Sequence, residues 1–403
     1  MRRAGGSYFG ELFMTSPIVL IIGTRPEGIK MLPVYFALKK AHIPVVICST
    51  NQHSNLLDEV FDLFEVIPDF RLDIMKPAQD LFHITYEGLY KTKAVFLKVN
   101  PPLVLVQGDT TSSMSAALAA FYLGIPVGHV EAGLRTGDMH NPFPEEMNRH
   151  FIGMIAQYHF APTPRAMANL VAEGVAQDSI FCTGNTVVDA LYLIQRKIAM
   201  GAVSIDLELK TKVEQTRKAG KRIVLLTTHR RESFNGGIVS ILRGVREFAL
   251  AHPEVVIFYP FHPNPNVLDA IEQSMIAKTA NVFMSNPLSY KELIYLLSNA
   301  DLVATDSGGI QEEGVSLGKF VLILREKTER PEGIEEGLAA LVGTNQTVIV
   351  QQLERFLALI AAQSFSPSSV YGTGEAAKNI AAIISQKRNN FSSVHKVEKE
   401  IQR

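Results

Sequence analysis

The sequence predicts an α/β protein made of two Rossmann-like domains with parallel sheets. Three observations carry this. Short β-rich apolar runs recur along the 403 residues, with helical patterns between them. The runs are continuous rather than alternating, as in strands covered on both faces. Two such series follow one another with a polar break between, in a chain too long for one core.

The first series is predicted at 18–22, 45–48, 103–106, 127–130, 158–161 and 180–182. The second is predicted at 223–227, 255–259, 282–284, 302–304, 320–324 and 340–341. A small-residue helix at 112–121 belongs to the core of the first series, and its apolar stripe calls for no cofactor. The break lies between Asn185 and Lys221, where a helix at 187–199 leads into a charged helical segment at 207–218. The expected organisation is therefore an N-terminal domain at 17–186, a C-terminal domain at 187–371 and a closing helix at 372–386 that rejoins the N-terminal domain. Residues 1–16 read as an extension outside the fold, because Gly5, Gly6, Gly10 and Glu11 interrupt any signal-like apolar stretch. Residues 387–403 read as a polar tail.

Composition excludes several classes. Formal net charge is −1, so no strong field favours nucleic acid or an anionic membrane. No stretch offers the roughly 18 apolar residues that span a bilayer. Cys48 and Cys182 have neither metal-ligand spacing nor a disulfide framework, which fits a reducing, cytoplasmic setting. No metal site is expected.

Ligands of open parallel sheets bind outside the carboxyl ends of the strands, and the polar motifs sit at such ends. Gly23-Thr-Arg25-Pro-Glu-Gly-Ile-Lys30 joins a strand to a helix and offers amides and two cations to an anion. It is neither a dinucleotide fingerprint nor a Walker A loop, so NAD and ATP are not implied and no cofactor is expected. A plain turn with solvated charges is the alternative. Asp109, in Gly108-Asp-Thr-Thr111, is either a chemical carboxylate or a helix N-cap. The segment from His129 to Glu146 holds four acids, two His and an Arg on a path set by Gly and Pro. Such a loop suits proton transfer better than packing. Glu131 there starts no obvious helix, whereas Glu145 could simply be a first-turn acid. His229-Arg-Arg-Glu-Ser233 can neutralise a leaving phosphate or be a polar loop with an Arg231–Glu232 pair. His262 lies in a proline turn that explains much of it. Asp306-Ser307-Gly308-Gly309 can present amides to a diphosphate at a helix start, with Glu313 about a turn later for ribose hydroxyls. An Asp or Ser N-cap is the alternative there.

Taken together, Gly23–Lys30, Gln107-Gly-Asp109-Thr, His129–Asp138 with Glu145-Glu146, Gly184-Asn-Thr, His229–Ser233 and Ser307–Glu313 closely resemble the bacterial non-hydrolysing UDP-N-acetylglucosamine 2-epimerases. The resemblance runs from about Ile18 to Ile384. It implies a glycosyltransferase-B-like fold with the active site in the interdomain cleft, usually in a homodimer. It implies interconversion of UDP-N-acetylglucosamine and UDP-N-acetylmannosamine without NAD or metal, for surface polysaccharide synthesis. By position, Arg25, Lys30, Asp109, Glu131, Glu145 and His229 match active-site residues of the family. Ser307, Gly308, Gly309, Glu313 and Arg330 match its UDP-binding residues. Leu288 and Leu293 stand where the family often has Gln and Phe near uracil, and Tyr290 is close by. An effector site is suggested at Gln52 and His53, where the motif ends in Leu56 instead of Met and precedes an atypical Lys76-Pro-Ala-Gln79.

The C2 hydrogen of a UDP-sugar is not beside a carbonyl, so its removal needs UDP to leave with it. The expected route is anti elimination to UDP and 2-acetamidoglucal, then re-addition with protonation from the other face. Three alternatives stay open from the residues: a hydrolysing epimerase, a glycosyltransferase of the same fold and a non-catalytic UDP-sugar sensor.

Overall fold

Burial on both faces explains why the apolar runs become strands. In the computed structural model, which describes residues 16–51, 54–76, 79–230, 233–388 and 391, Ile18–Ile22 is buried at every position. The chain divides into two compact units. The first runs to Ala190 and resumes at Gly372, and the second is Leu191–Tyr371.

Among the described residues, the first unit holds seven parallel strands: β1 (Ile18–Ile22), β2 (Val45–Ser49), β3 (Phe70–Arg71), β4 (Val104–Gln107), β5 (Val127–Val130), β6 (Tyr158–Ala161) and β7 (Ile180–Cys182). Their order is β3-β2-β1-β4-β5-β6-β7. The order reverses between β1 and β4, the switch point at which ligands of such sheets bind. Helix α1 (Arg25–Lys40) follows β1, and α2 (Ser54–Phe64) follows β2. Helices α3 (Leu81–Val99), α4 (Thr111–Tyr122), α5 (Glu145–Ile155), α6 (Pro164–Ala172) and α7 (Thr186–Ala199) come next. The run of Ser and Ala in α4 leaves it almost wholly buried, close enough to α3 for a Cβ on Gly88 to reach Ser115 at 3.0 Å. The boundary between the units falls inside α7.

The second unit, among the described residues, holds α8 (Leu207–Lys218) and six parallel strands: β8 (Arg222–Thr227), β9 (Val255–Pro260), β10 (Val282–Ser285), β11 (Leu302–Thr305), β12 (Phe320–Ile323) and β13 (Ala339–Leu341). Their order is β10-β9-β8-β11-β12-β13, with the switch point between β8 and β11. Helices α9 (Gly237–Ala251), α10 (Pro265–Ser274), α11 (Tyr290–Asn299), α12 (Gly308–Ser316), α13 (Glu332–Glu335) and α14 (Gln346–Ala362) cover it. The core joins β8, β9, β11 and β12 to α9 and α14 through residues such as Leu226, Phe248, Ile257 and Phe356. Each fully buried side chain of this kind contributes about 1.5–3 kcal/mol.

Helix α15 (Ala376–Lys387) belongs to the first unit and packs on α1. Beyond it Phe391, inside the segment expected as a polar tail, is buried against Tyr158 with ring centroids 5.4 Å apart. Among the described residues no helix is long and apolar enough to cross a membrane. The expectations for residues 1–15, Gln52, His53, Pro77, Ala78, Arg231, Glu232 and 392–403 lie outside the described residues.

Candidate active site

In the first unit the site is assembled at the ends of β1, β4, β5 and β7. Gly23 follows β1 where a Cβ would lie 2.5 Å from the Thr50 hydroxyl and 2.9 Å from the Ser112 Cβ, so only glycine fits. Glu27, in the first turn of α1, is buried and accepts from the Gly23 amide at 2.8 Å and from the Thr110 and Ser113 hydroxyls at 2.7 and 2.6 Å. Burial raises its carboxyl above the usual range despite those bonds. Glu27 thereby pins the β1 loop to the start of α4.

Glu131 follows β5 directly, with φ +65°, a left-handed conformation that non-glycine residues seldom adopt. Such backbone strain, of order 1–3 kcal/mol, is held only where surroundings over-determine it. Here they do. Lys30 from α1 lies with Nζ 2.5 Å from Glu131 Oε1, and both side chains are buried. Asn185, after β7, donates to the same oxygen at 2.8 Å, and Gln107 at the end of β4 donates to Oε2. Removing one partner of such a buried pair typically costs about 3–5 kcal/mol.

Asp109 sits one strand away, partly exposed and paired with the Arg149 guanidinium from α5. Arg149 also meets Glu146 at 3.1 Å, and Glu146 accepts from the Thr136 and Gly137 amides at 2.9 and 3.1 Å. The acid-rich loop is thus held by one of its own acids. His129, buried in β5, donates Nε2–H to the Gly108 carbonyl at 2.7 Å and so fixes the turn that carries Asp109. Burial drives its pKa down to about 3, with the Gly108 bond only partly opposing, so the ring is neutral. Glu145 opens α5 and is half-buried, as is Arg25 at the start of α1.

In the second unit the site lies at the ends of β8 and β11. Asp306 is fully buried after β11, and its carboxylate accepts from the His229 and Arg230 amides at 2.6 and 2.8 Å. The His229 ring approaches the same carboxylate at 3.0 Å and stays partly exposed. Burial alone would raise this carboxyl, but the His229 ring and the two amides outweigh it and hold it below the usual range. Helix α12 starts at Gly308 with Ser307 at its N-cap position, and the Ser307 side chain makes no cap hydrogen bond. First-turn amides there face outward from the helix and favour an anion. A Cβ on Gly308 would lie 2.5 Å from the Arg330 guanidinium, so any larger residue would have to displace that side chain. Arg330 is itself buried and paired with Glu312 at 3.0 Å and with Glu329. Glu313 accepts from the Tyr290 hydroxyl at 2.7 Å.

Several expectations change. Asp109 does not cap α4. Thr110 does, accepting from the Ser113 amide at 3.0 Å, which leaves the Asp109 carboxylate for Arg149. Asp306 is likewise no cap but a bridge between two strand ends. Lys30, expected as a cation for a departing diphosphate, has its charge held on Glu131. Tyr290 is buried with its hydroxyl on Glu313. Gln107 and Asn185 lie in motifs read from the sequence but with no role assigned to them, and Arg149 lies in none. Arg149 carries one legible signal, its i,i+3 spacing from Glu146. Among the described residues no group of His, Cys, Asp and Glu could hold a metal ion.

A sequence profile described as UDP-N-acetylglucosamine 2-epimerase matches residues 37–385. A UDP-N-acetylglucosamine 2-epimerase of Yersinia pestis is 44% identical over 366 residues, which span 90% of this chain and 96% of that one. The crystal structure of the Neisseria meningitidis UDP-GlcNAc 2-epimerase bound to UDP-GlcNAc superposes with a TM-score of 0.86 at 39% identity, covering 92% of this chain and 100% of that chain. That of Methanocaldococcus jannaschii, in complex with UDP-GlcNAc and UDP, gives 0.79 at 32% identity, covering 92% and 99%. The profile match over most of the chain, the identity to these relatives and two parallel sheets of glycosyltransferase-B type place the chain in the UDP-N-acetylglucosamine 2-epimerase family.

Proposed function

We propose that this protein interconverts UDP-N-acetylglucosamine and UDP-N-acetylmannosamine without hydrolysis, in the cytoplasm, as a precursor step for surface polysaccharide. The observation that carries the reading is the Glu131 carboxylate, forced into a left-handed backbone and gripped by Lys30, Gln107 and Asn185 beside Asp109. Carboxylates so placed serve proton transfer and cation stabilisation better than packing.

One carboxylate removes the C2 proton as the C1–O bond to UDP breaks, giving UDP and 2-acetamidoglucal. UDP then re-adds at C1 while a second group protonates C2 from the opposite face. Asp109, Glu131 and Glu145 are the carboxylates for these steps. Arg25 and His229 stabilise the departing diphosphate, and Ser307, Gly308 and Gly309 hold it at the start of α12, the two glycines through their amides. Glu313 accepts from the ribose hydroxyls, and Arg330 keeps α12 in place from beneath Gly308. The chemistry is complete with these side chains and calls on no cofactor.

The working form is a homodimer. Support comes from an exposed aromatic row on α3, Phe82, Tyr86 and Tyr90 at four-residue spacing, with Phe121 and Tyr122 also exposed at the end of α4. Light scattering at twice the chain mass checks this.

Proton NMR of the protein with UDP-N-acetylglucosamine in D₂O tests the reaction. The expected result is UDP-N-acetylmannosamine with deuterium at C2 and no lasting free sugar. Accumulation of UDP and free N-acetylmannosamine would instead identify a hydrolysing enzyme. Binding without any exchange would identify a sensor or a transferase.

A further inference from the structure

Asn185 does two things at once. Its Oδ1 accepts the Val187 amide at 3.1 Å, which caps α7, and its Nδ2 donates to Glu131 Oε1 at 2.8 Å. The first contact fixes which end of the amide faces Glu131, since only the nitrogen is left for the carboxylate. One turn later Asp189, also on α7, accepts the Ala376 and Ala377 amides at 3.2 and 2.9 Å. The first turn of α7 is therefore held at both ends within the first unit. It is also the helix along which the chain leaves that unit, between Ala190 and Leu191.

We propose that Asn185 is a positioning residue for the epimerisation, setting the Glu131 carboxylate by tying it to the first turn of α7. The inference rests on the function proposed above. Lys30 supplies charge to Oε1, but an ammonium on a flexible stem gives little direction. A planar amide fixed by its own cap bond gives direction. Gln107 fixes the other oxygen. Two amides from different strand ends thus define the plane of the carboxylate against the sugar. Partners of this kind, one step removed from the reacting atoms, are worth about 10- to 100-fold in activity where they have been tested at metal sites.

Three variants separate positioning from mere capping. Asn185→Ala removes both contacts. Asn185→Asp keeps the cap, because Asp ranks with Asn at that position, but replaces the donor with a second negative charge facing Glu131. Positioning predicts that kcat falls about 10- to 100-fold in Asn185→Ala with KM little changed. It predicts a fall at least as large in Asn185→Asp, which keeps the cap but sets a second buried charge against Glu131. Losing a donor to the ionised form also moves the acidic limb of the pH–rate profile to higher pH in Asn185→Ala. In a Glu131→Gln background, Asn185→Ala adds little further loss. Full activity in Asn185→Asp alongside a damaged Asn185→Ala would show a helix cap and overturn the proposal. A wild-type protein that fails to exchange C2–H would overturn the function reading instead, and this inference with it.

Discussion

The two units solve different problems with one architecture. Both place polar residues where the strand order reverses. The first unit puts side-chain carboxylates there, Glu131 and Asp109, each held by a buried cation from a helix. The second starts helix α12 there, at Gly308 and Gly309, while the Ser307 amide donates to the Thr305 hydroxyl at 3.0 Å and the carboxylate of Asp306 fastens the His229 loop. Proton transfer needs a lone pair aimed at one atom, so carboxylates must be fixed individually. A diphosphate spreads its charge over several oxygens, so a helix start and a glycine approach suffice. On the proposed function, the difference divides the reaction into chemistry in one unit and leaving-group binding in the other.

The sharpest way to break this division is to exchange the failures. Asp109→Asn or Glu131→Gln should lower turnover by about 10²- to 10⁴-fold, the range for a lost proton-transfer group, with UDP binding retained by calorimetry. Gly308→Ala should do the reverse. Its Cβ would collide with the Arg330 guanidinium, so UDP binding weakens while turnover at saturation changes less. Normal turnover in either carboxylate variant, or unaltered UDP affinity in Gly308→Ala, would dissolve the contrast.

Acid should also find the first unit before the second. His129 is neutral in the fold with its pKa pushed down to about 3, against 6.5 in the unfolded chain. Its contribution is fully present above pH 6.5 and is lost as pH falls toward 3, because the unfolded chain takes up the proton first. His159 is shifted the same way by burial. Asp189 opposes them. Its carboxyl is pushed up to about 6 by burial, so the fold gains stability as pH falls from 6 to 3.8. Glu27, raised by burial, opposes them as well. The shift of His129 is the largest, and between pH 7 and 5 its loss exceeds the gain at Asp189 by about 0.5 kcal/mol. Asp306, the corresponding buried group of the second unit, is held low, so its contribution is lost only below pH 3.8. Hydrogen exchange corrected for intrinsic rate should show β4, β5 and β6 losing protection between pH 7 and 5 while β8 and β11 keep theirs. Equal loss in both units would count against His129 as the cause.

The fold was largely legible because its strands are buried on both faces and leave an unbroken apolar trace. The strand that escaped, β3, is only Phe70–Arg71, half-exposed and held by pairing with Cys48 and Ser49, so it carries no run to read. The acids of the site were legible because charge at the end of a buried strand is costly without a purpose. Their holders were legible as members of motifs, but not in their roles. Gln107 and Asn185 are neutral amides whose roles depend on β4, β5 and β7 lying side by side, and that adjacency is a property of the sheet. Asp109 as a helix cap failed for a local reason, since Thr110 lies one residue nearer the helix and takes the bond.

The smallest predicted effect follows from that last point and concerns two hydroxyl residues at equivalent helix starts. Thr110 accepts from the Ser113 amide and donates to Glu27 at 2.7 Å, so it is part of the frame. Ser307 has no cap bond. Thr110→Ala should therefore destabilise the first unit by about 1 kcal/mol, the usual value of an N-cap. Ser307→Ala should leave the unfolding midpoint of the second unit where it is and show its loss in UDP affinity instead. The pair can be read in one denaturant series with and without UDP. If UDP stabilises wild type and Ser307→Ala equally, the Ser307 hydroxyl does not reach the ligand. The open helix start of the second unit would then bind through backbone amides alone.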